Sequence, residues 1–267
     1  MRHRDFWRKH DGTDRRPPLK RTAKARVRRV SRRDPVVLSA DGSEIKSDAY
    51  RGRGDLRHVI IPEGVTHSGE SAFYGCKWLK SVTLPSTLEV IGDYAFRGCK
   101  RIKSIVIPEG VSNIGTNAFE DCKNLEDVTL PNRLESIGFL IFGGCYYLNY
   151  NYYGRCKYLG SASNPYLMCK WAGGDLHPDT KIISTGAYHY SSEKYVILPD
   201  GLEIISAFAF TDSAVEYISI PHSVKVVNKN AFSGCKLLKC INYHGTLDEW
   251  NSIYKGDAVP VSTRDSE

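Results

Sequence analysis

The chain has 267 residues, 41% of them hydrophobic and 25% charged, which is enough to build a buried core in one or two domains. No run of 18 apolar residues occurs, so a helical membrane span is excluded. The formal charge of +7 is unevenly placed: residues 1–34 hold 14 Lys and Arg against 4 Asp and Glu, whereas the other 233 residues hold 23 against 26.

In chain order the first segment is residues 1–35, a basic arm that carries Arg15-Arg16, Lys20-Arg21, Arg28-Arg29 and Arg32-Arg33. It has no apolar periodicity and is expected to be disordered. Such a stretch can contact phosphates, acidic lipid or acidic polymers. It holds few aromatics and no nucleic-acid-recognition motif, so nucleic acid is a disfavoured partner. No apolar run follows the basic residues, so no secretory signal is expected.

A repeat occupies the next segment. Pro62, Pro85, Pro108 and Pro131 are 23 residues apart, and the same step links Phe73, Phe96, Phe119 and Phe142. It also links Gly69, Gly92, Gly115 and Gly138, and Cys76, Cys99, Cys122 and Cys145. Upstream, Tyr50, Gly52 and Leu56 keep the register; downstream the step shortens to about 22, through Tyr188, Phe210 and Phe232 and through Pro199 and Pro221.

One unit explains the others. Ser81 to Leu84 alternates polar and apolar residues, as a short strand with one buried face does. Pro85 ends it, lacking an N–H for the ladder. Gly92 is expected at positive φ. Asp93 to Arg97 is long enough for one helical or 3-10 turn, which turns Ala95 and Phe96 inward, and Cys99 closes the coil as a small buried residue. A single unit cannot bury its apolar edge, but a stack can. The fold class expected is therefore a repeat solenoid over residues 36–243: short parallel strands, short helical or 3-10 turns, and about nine units, roughly 45 Å long at strand spacing.

Two regions break the pattern. An irregular Tyr-rich insert covers about 146–177, where Tyr146, Tyr147, Tyr150, Tyr152, Tyr153, Tyr158 and Tyr166 crowd together. Residues 244–267 form a C-terminal cap and tail. Thr246-Leu247-Asp248-Glu249 has the capping-box pattern, Leu247, Trp250 and Ile253 share a helical face, and Asp257 to Glu267 is expected to fray.

The pattern Ile/Leu-Pro-x-x-Val/Leu-x-x-Ile-Gly-x-x-Ala-Phe-x-x-Cys-x-x-Leu resembles the BspA-like leucine-rich-repeat family over about residues 40–255. Tyr158-Leu159-Gly160 with Asn164-Pro165-Tyr166-Leu167 resembles an insert between the family's repeat blocks, and Thr180 to Ala187 the restart after it. Tyr243-His244-Gly245-Thr246 with Glu249-Trp250-Asn251 resembles the family's terminus. The resemblance implies a leucine-rich-repeat scaffold of the adhesion type, at the cell surface or secreted, binding host matrix proteins or other cells. This chain departs from the pattern at Ser213, in place of the repeat Cys, and at Asn228, in place of the repeat Gly. The unseen secretory signal keeps a second placement open: an intracellular platform whose basic arm contacts nucleic acid or membrane.

The candidate ligand-binding residues are the outward strand positions Ser81, Thr83, Ser104, Val106, Asp127 and Thr129, then Tyr195 and Tyr217 after the insert. His58, Ile60, Ile197 and Ser219 lie in the same rows. Tyr152 and Tyr153 join them as exposed aromatics of the kind enriched at interfaces. The tyrosine cluster has a competing reading, as packing for a repeat that lacks its leucines. The partner expected is a protein or a glycan. Arg53-Gly54-Asp55 is an integrin-type tripeptide, but it falls in a turn where Gly52 already belongs to the repeat. The ladder cysteines, with Cys235, read as core residues; Cys156, Cys169 and Cys240 lie off the ladder. No Cys-x-x-Cys pair suggests a metal site, and no catalytic motif or cofactor loop is found. No enzyme activity, cofactor or metal is expected.

Overall fold

The structure, a computed structural model, describes residues 35–38, 42–254, 256 and 258–264. The arm pairs Arg15-Arg16, Lys20-Arg21, Arg28-Arg29 and Arg32-Arg33 lie outside them.

A constant repeat places equal positions side by side. His58–Ile60 pairs in parallel with Ser81–Thr83, joining His58 to Ser81, Val59 to Val82 and Ile60 to Thr83. Ser104–Val106 and Asp127–Thr129 pair with the same offset. Tyr195–Ile197, Tyr217–Ile220 and Cys240–Tyr243 form the equivalent ladder in the later coils. Val82 is buried while Ser81 and Thr83 are exposed, as the alternation requires. The result is a parallel β-solenoid of about ten turns.

Each coil also makes a second strand. Glu44–Ile45, His67–Ser68, Val90–Ile91, Asn113–Ile114 and Ser136–Ile137 form a parallel ladder of two-residue strands. Ile182–Ile183, Ile204–Ile205 and Val226–Val227 form its counterpart after the insert. The segment between Gly92 and Cys99 is not a continuous helix. Ala95, Arg97 and Cys99 donate back to Gly92, Tyr94 and Phe96 as single i→i+3 turns, while Tyr94, Phe96 and Gly98 donate onward to Thr116, Ala118 and Glu120 of the next coil. The N–H groups from Tyr94 to Cys99 are thus all used, alternately within the turn and across to the next coil.

The reason for the repeat glycine is corrected. Gly69, Gly92, Gly115 and Gly138 do not take positive φ; the left-handed residues are Ser71, Tyr94, Asn117 and Leu140, at φ between 48° and 56°. The glycines supply space instead. A Cβ on Gly92 would lie 2.6 Å from the Ser68 carbonyl oxygen and 2.8 Å from the Gly69 carbonyl carbon. Ser184, Ser206 and Asn228 hold this position in the later coils, and the Ser184 and Ser206 hydroxyls are buried without a partner.

The core is a set of columns. The rings of Tyr50, Phe73, Phe96, Phe119 and Phe142 stack at centroid separations of 5.2, 5.1, 5.3 and 5.6 Å. Tyr188, Phe210 and Phe232 resume the stack at 4.5 and 5.5 Å. Each ladder thiol donates to the carbonyl of the aromatic residue one coil back: Cys76 to Tyr50 at 3.0 Å, Cys99 to Phe73 at 3.3 Å, Cys122 to Phe96 at 3.2 Å and Cys145 to Phe119 at 3.2 Å. A cysteine there is small enough to close the coil and satisfies a buried carbonyl.

The insert changes direction. Asn151–Tyr153 and Cys156–Leu159 form an antiparallel hairpin, and Met168–Trp171 pairs antiparallel with the second strand before joining Ile182–Ile183 in parallel. At the C-terminal end, helix α1 (Leu247–Ile253) starts at Thr246 with both capping-box bonds formed and lays Trp250 on the last coil. The expectation of a frayed tail is corrected for part of it. Val261–Ser262 pairs in parallel with Ile241 and Asn242, and Thr263 is buried, because the edge of Cys240–Tyr243 otherwise leaves donors and acceptors open.

Candidate binding surface

Core packing leaves one face of each three-residue strand free. Ser81, Thr83, Ser104, Val106 and Asp127 are exposed, and Thr129 is half-buried. His58 and Ile60 are also half-buried, with His58 Nδ1 2.8 Å from Ser81 Oγ. The first-block rows are therefore mostly small and polar, with Val106 the exposed apolar exception.

The later rows differ. The rings of Tyr195 and Tyr217 stack in parallel, 5.2 Å apart and 2° from coplanar, on the outer face. Ile197 beside them is 80% exposed. The Lys239 ammonium lies 5.6 Å from the Tyr217 ring centroid, and its partner Glu216 is also bonded to Lys194 at 3.1 Å. Lys239 and Lys194 hold the Glu216 carboxyl below its ordinary range. Ser219 bonds His244 at 2.8 Å. Two rings, an aliphatic side chain and a fixed charge thus share one exposed strip.

The tyrosine cluster divides. Tyr158 is fully buried and its hydroxyl accepts from the His177 backbone N–H at 3.0 Å. Tyr166 stacks on the His177 ring at 3.9 Å, and Tyr153 meets that ring edge-on at 4.8 Å. Tyr150 packs against the core. These residues fill the irregular coil. Tyr152, Tyr146 and Tyr147 are exposed, and Tyr153 is partly so. The packing reading thus describes Tyr150, Tyr158 and Tyr166, while Tyr146, Tyr147 and Tyr152 stay outside the core. His177 was not singled out from sequence; its place in Leu176-His177-Pro178, at the end of the insert, was the available signal.

Two further candidates are neutralised. Arg53 donates twice to Asp55, at 2.8 and 2.7 Å, so the Arg-Gly-Asp tripeptide folds on itself. The ladder thiols are suppressed: burial pushes Cys76 up to about 11 and Cys145 to about 12, and Cys99 and Cys122 well above their ordinary value. Thiolates are the reactive form. A cleft against Phe232, Cys235, Lys236, Tyr254 and Pro260 offers no activated thiol, since burial raises Cys235 also. Among the described residues no group of His, Cys, Asp and Glu could hold a metal, and no helix is long and apolar enough to cross a membrane.

Residues 38–166 and 174–254 match the BspA type leucine rich repeat region in six copies. The chain belongs to the BspA-type leucine-rich-repeat family. Similar solved structures include the leucine rich repeat protein of T. pallidum, 22% identical, covering 90% of this chain and 100% of that one with a TM-score of 0.44. A leucine-rich repeat protein from Bacteroides ovatus is 20% identical over 92% of this chain and 77% of its own, with a TM-score of 0.39. A leucine rich cell surface protein from Faecalibacterium prausnitzii is 18% identical over 91% and 100%, with a TM-score of 0.33. No curated protein sequence matches. Membership of the BspA-type family accounts for the Pro, Gly, Phe and Cys columns.

Proposed function

We propose that this chain is a non-enzymatic binding module of the adhesion type, working at the cell surface or in secreted form, which grips a protein or glycan partner with its outward strand rows and the exposed tyrosines of the insert. The observation that carries this reading is the stacked, exposed Tyr195 and Tyr217 pair beside Ile197. Aromatic anchors of this kind carry most of an interface's free energy. Ser81, Thr83, Ser104, Val106, Asp127 and Thr129 extend the contact as a polar ladder, and Tyr152 and Tyr153 flank it. Family membership supports a scaffold role, and the F. prausnitzii relative is described as a cell surface protein.

A second reading rests on the +10 arm. In it the chain is an intracellular platform tethered through the arm to nucleic acid or membrane. One experiment separates the two. The full chain is screened against matrix proteins, glycans, oligonucleotides and anionic vesicles at two salt concentrations. Hits are repeated with Tyr195→Ala plus Tyr217→Ala and with Tyr152→Ala plus Tyr153→Ala. Loss of binding in either folded variant supports the strand-face reading. Binding indifferent to both variants and abolished by salt supports the arm.

A further inference from the structure

Lys77, Lys100 and Lys123 occupy one repeat position, 23 residues apart, just after the ladder residues Cys76, Cys99 and Cys122. All three are exposed. Ladder spacing sets successive members about 4.8 Å apart along the solenoid. Lys80, also exposed, follows Lys77 by three residues. Arg101, next to Lys100, has its guanidinium 4.0 Å from the Trp78 ring centroid, with Arg57 at 5.1 Å from the same ring. Among the described residues none of Lys77, Lys80, Lys100 and Lys123 has a carboxylate within ion-pair distance; Lys103 nearby pairs with Glu126 at 3.2 Å.

Like charges stacked in one column repel. Elsewhere the same chain alternates sign. Lys194, Glu216 and Lys239 form one such column, and Lys181, Glu203 and Lys225 another, with contacts of 3.9 and 2.7 Å in the second. The column at 77, 100 and 123 lacks that relief. At its next repeat position stands Tyr146, 80% exposed, and beside it Tyr147, 66% exposed, continues the row of Trp78 and Arg101.

We propose that Lys77, Lys100 and Lys123, flanked by Lys80 and Arg101 and ending on Tyr146 and Tyr147, form a binding track for an acidic polysaccharide lying along the solenoid axis. The missing counter-charges come from the ligand. A straight column of point charges suits an extended chain with an anionic group on successive sugars. A duplex carries its phosphates every 3.4 Å of axis on a helical path, which leaves a straight column quickly. An extended acidic peptide repeats its same-face carboxylates at about 6.6 Å, out of step with coils about 4.8 Å apart. The Trp78 ring is already engaged by two guanidinium groups, so it offers little to a stacking base. The exposed rings of Tyr146 and Tyr147 suit the C–H face of a sugar. This track is separate from the strand-face site, and its variants leave Tyr195, Tyr217, Tyr152 and Tyr153 untouched.

The test uses full-length protein and heparin. The charge of the arm is cut from +10 to +2 by converting Arg15, Arg16, Lys20, Arg21, Arg28, Arg29, Arg32 and Arg33 to Gln. In that background Lys77→Gln, Lys100→Gln and Lys123→Gln together should weaken heparin binding about ten-fold or more and flatten the slope of log affinity against log salt by about two. The control, Lys181→Gln plus Lys225→Gln, should stay within about two-fold, because those lysines already pair with Glu203. Thermal melts establish that each variant folds. If the lysine variant does not, Tyr146→Ala plus Tyr147→Ala should weaken binding severalfold without changing the salt slope. The proposal is overturned if track and control variants weaken equally, if cutting the arm charge alone abolishes binding, or if an oligothymidine or polyglutamate binds as tightly as heparin.

Discussion

Replacing Gly92 by Ala separates two reasons for a repeat glycine. If the residue were needed for its backbone angle, the substitution would resemble Gly98→Ala, where φ is +73° and the nearest atom to a new Cβ is the Gly75 Cα at 3.7 Å. That substitution costs about 1–2 kcal/mol for a left-handed L residue, and Asp121 already holds the equivalent position at φ 58°. Gly92 has an ordinary φ, but its new Cβ would meet three backbone atoms of the coil before, at 2.6, 2.8 and 3.0 Å. Carbon contacts are optimal near 3.5–4.0 Å, so the coils must part by several tenths of an ångström. Overpacking of this kind costs about 1–3 kcal/mol. The same movement stretches the 2.8 Å bond from Gly92 N–H to the Ser68 carbonyl, which adds about 0.5–1.5 kcal/mol. Gly92→Ala should therefore cost about 2–4 kcal/mol and Gly98→Ala less. Urea denaturation of both, followed by circular dichroism and tryptophan fluorescence, measures the difference. A larger loss for Gly98→Ala would refute the close-packing explanation.

Three further predictions concern the core columns and the α1 cap. Phe96→Ala removes a fully buried ring between two stacked neighbours and should cost about 3–5 kcal/mol in urea, against about 0.5 kcal/mol or less for the exposed Thr83→Ala; equal losses would mean that the strand faces are reversed. The ladder thiols have raised folded-state pKa values, so their contribution is complete below about pH 9 and is lost as pH rises toward 11 and 12. Melting temperature should fall over that window, and Cys76→Ala should fall less steeply than the parent; identical slopes would contradict the role given to burial. Thr246→Ala removes the oxygen that accepts from Glu249 N–H at 3.2 Å and should lower stability by about 1 kcal/mol, as read from the urea midpoint; no change would show that the α1 cap contributes nothing.

The first ladder was legible because Ser81, Val82 and Thr83 alternate between solvent and core over three residues and the period repeats that alternation coil after coil. The second ladder was not. Its strands are two residues long, and Val90-Ile91 offers one inward side chain with no alternation to detect. The role of Gly92 was misread for a related reason: sequence shows that a side chain is refused, but not whether angle or space refuses it. In the insert, Asn151–Tyr153 has every residue exposed, so no buried face announces a strand, and the pairing of Cys156–Leu159 slips at Lys157 and Tyr158. Of the candidate surface, the outward rows were readable from the inward ones. The stacking of Tyr195 on Tyr217 follows from their 22-residue separation, whereas the packing of Tyr158 and Tyr166 around His177 depends on a hairpin that local pattern does not specify. The return of Val261–Ser262 to the sheet edge was hidden because two residues make too short a signal against a polar tail.

The strand-face reading can be tested most directly by hydroxyl-radical footprinting of the full chain, free and bound to the first partner confirmed in the screen. Binding through the outward rows predicts strong protection of Tyr195, Ile197 and Tyr217, with Tyr152 and Tyr153 protected beside them and His67 and Trp78 unchanged. Undiminished labelling of Tyr195, Ile197, Tyr217, Tyr152 and Tyr153 in a saturated complex would contradict it.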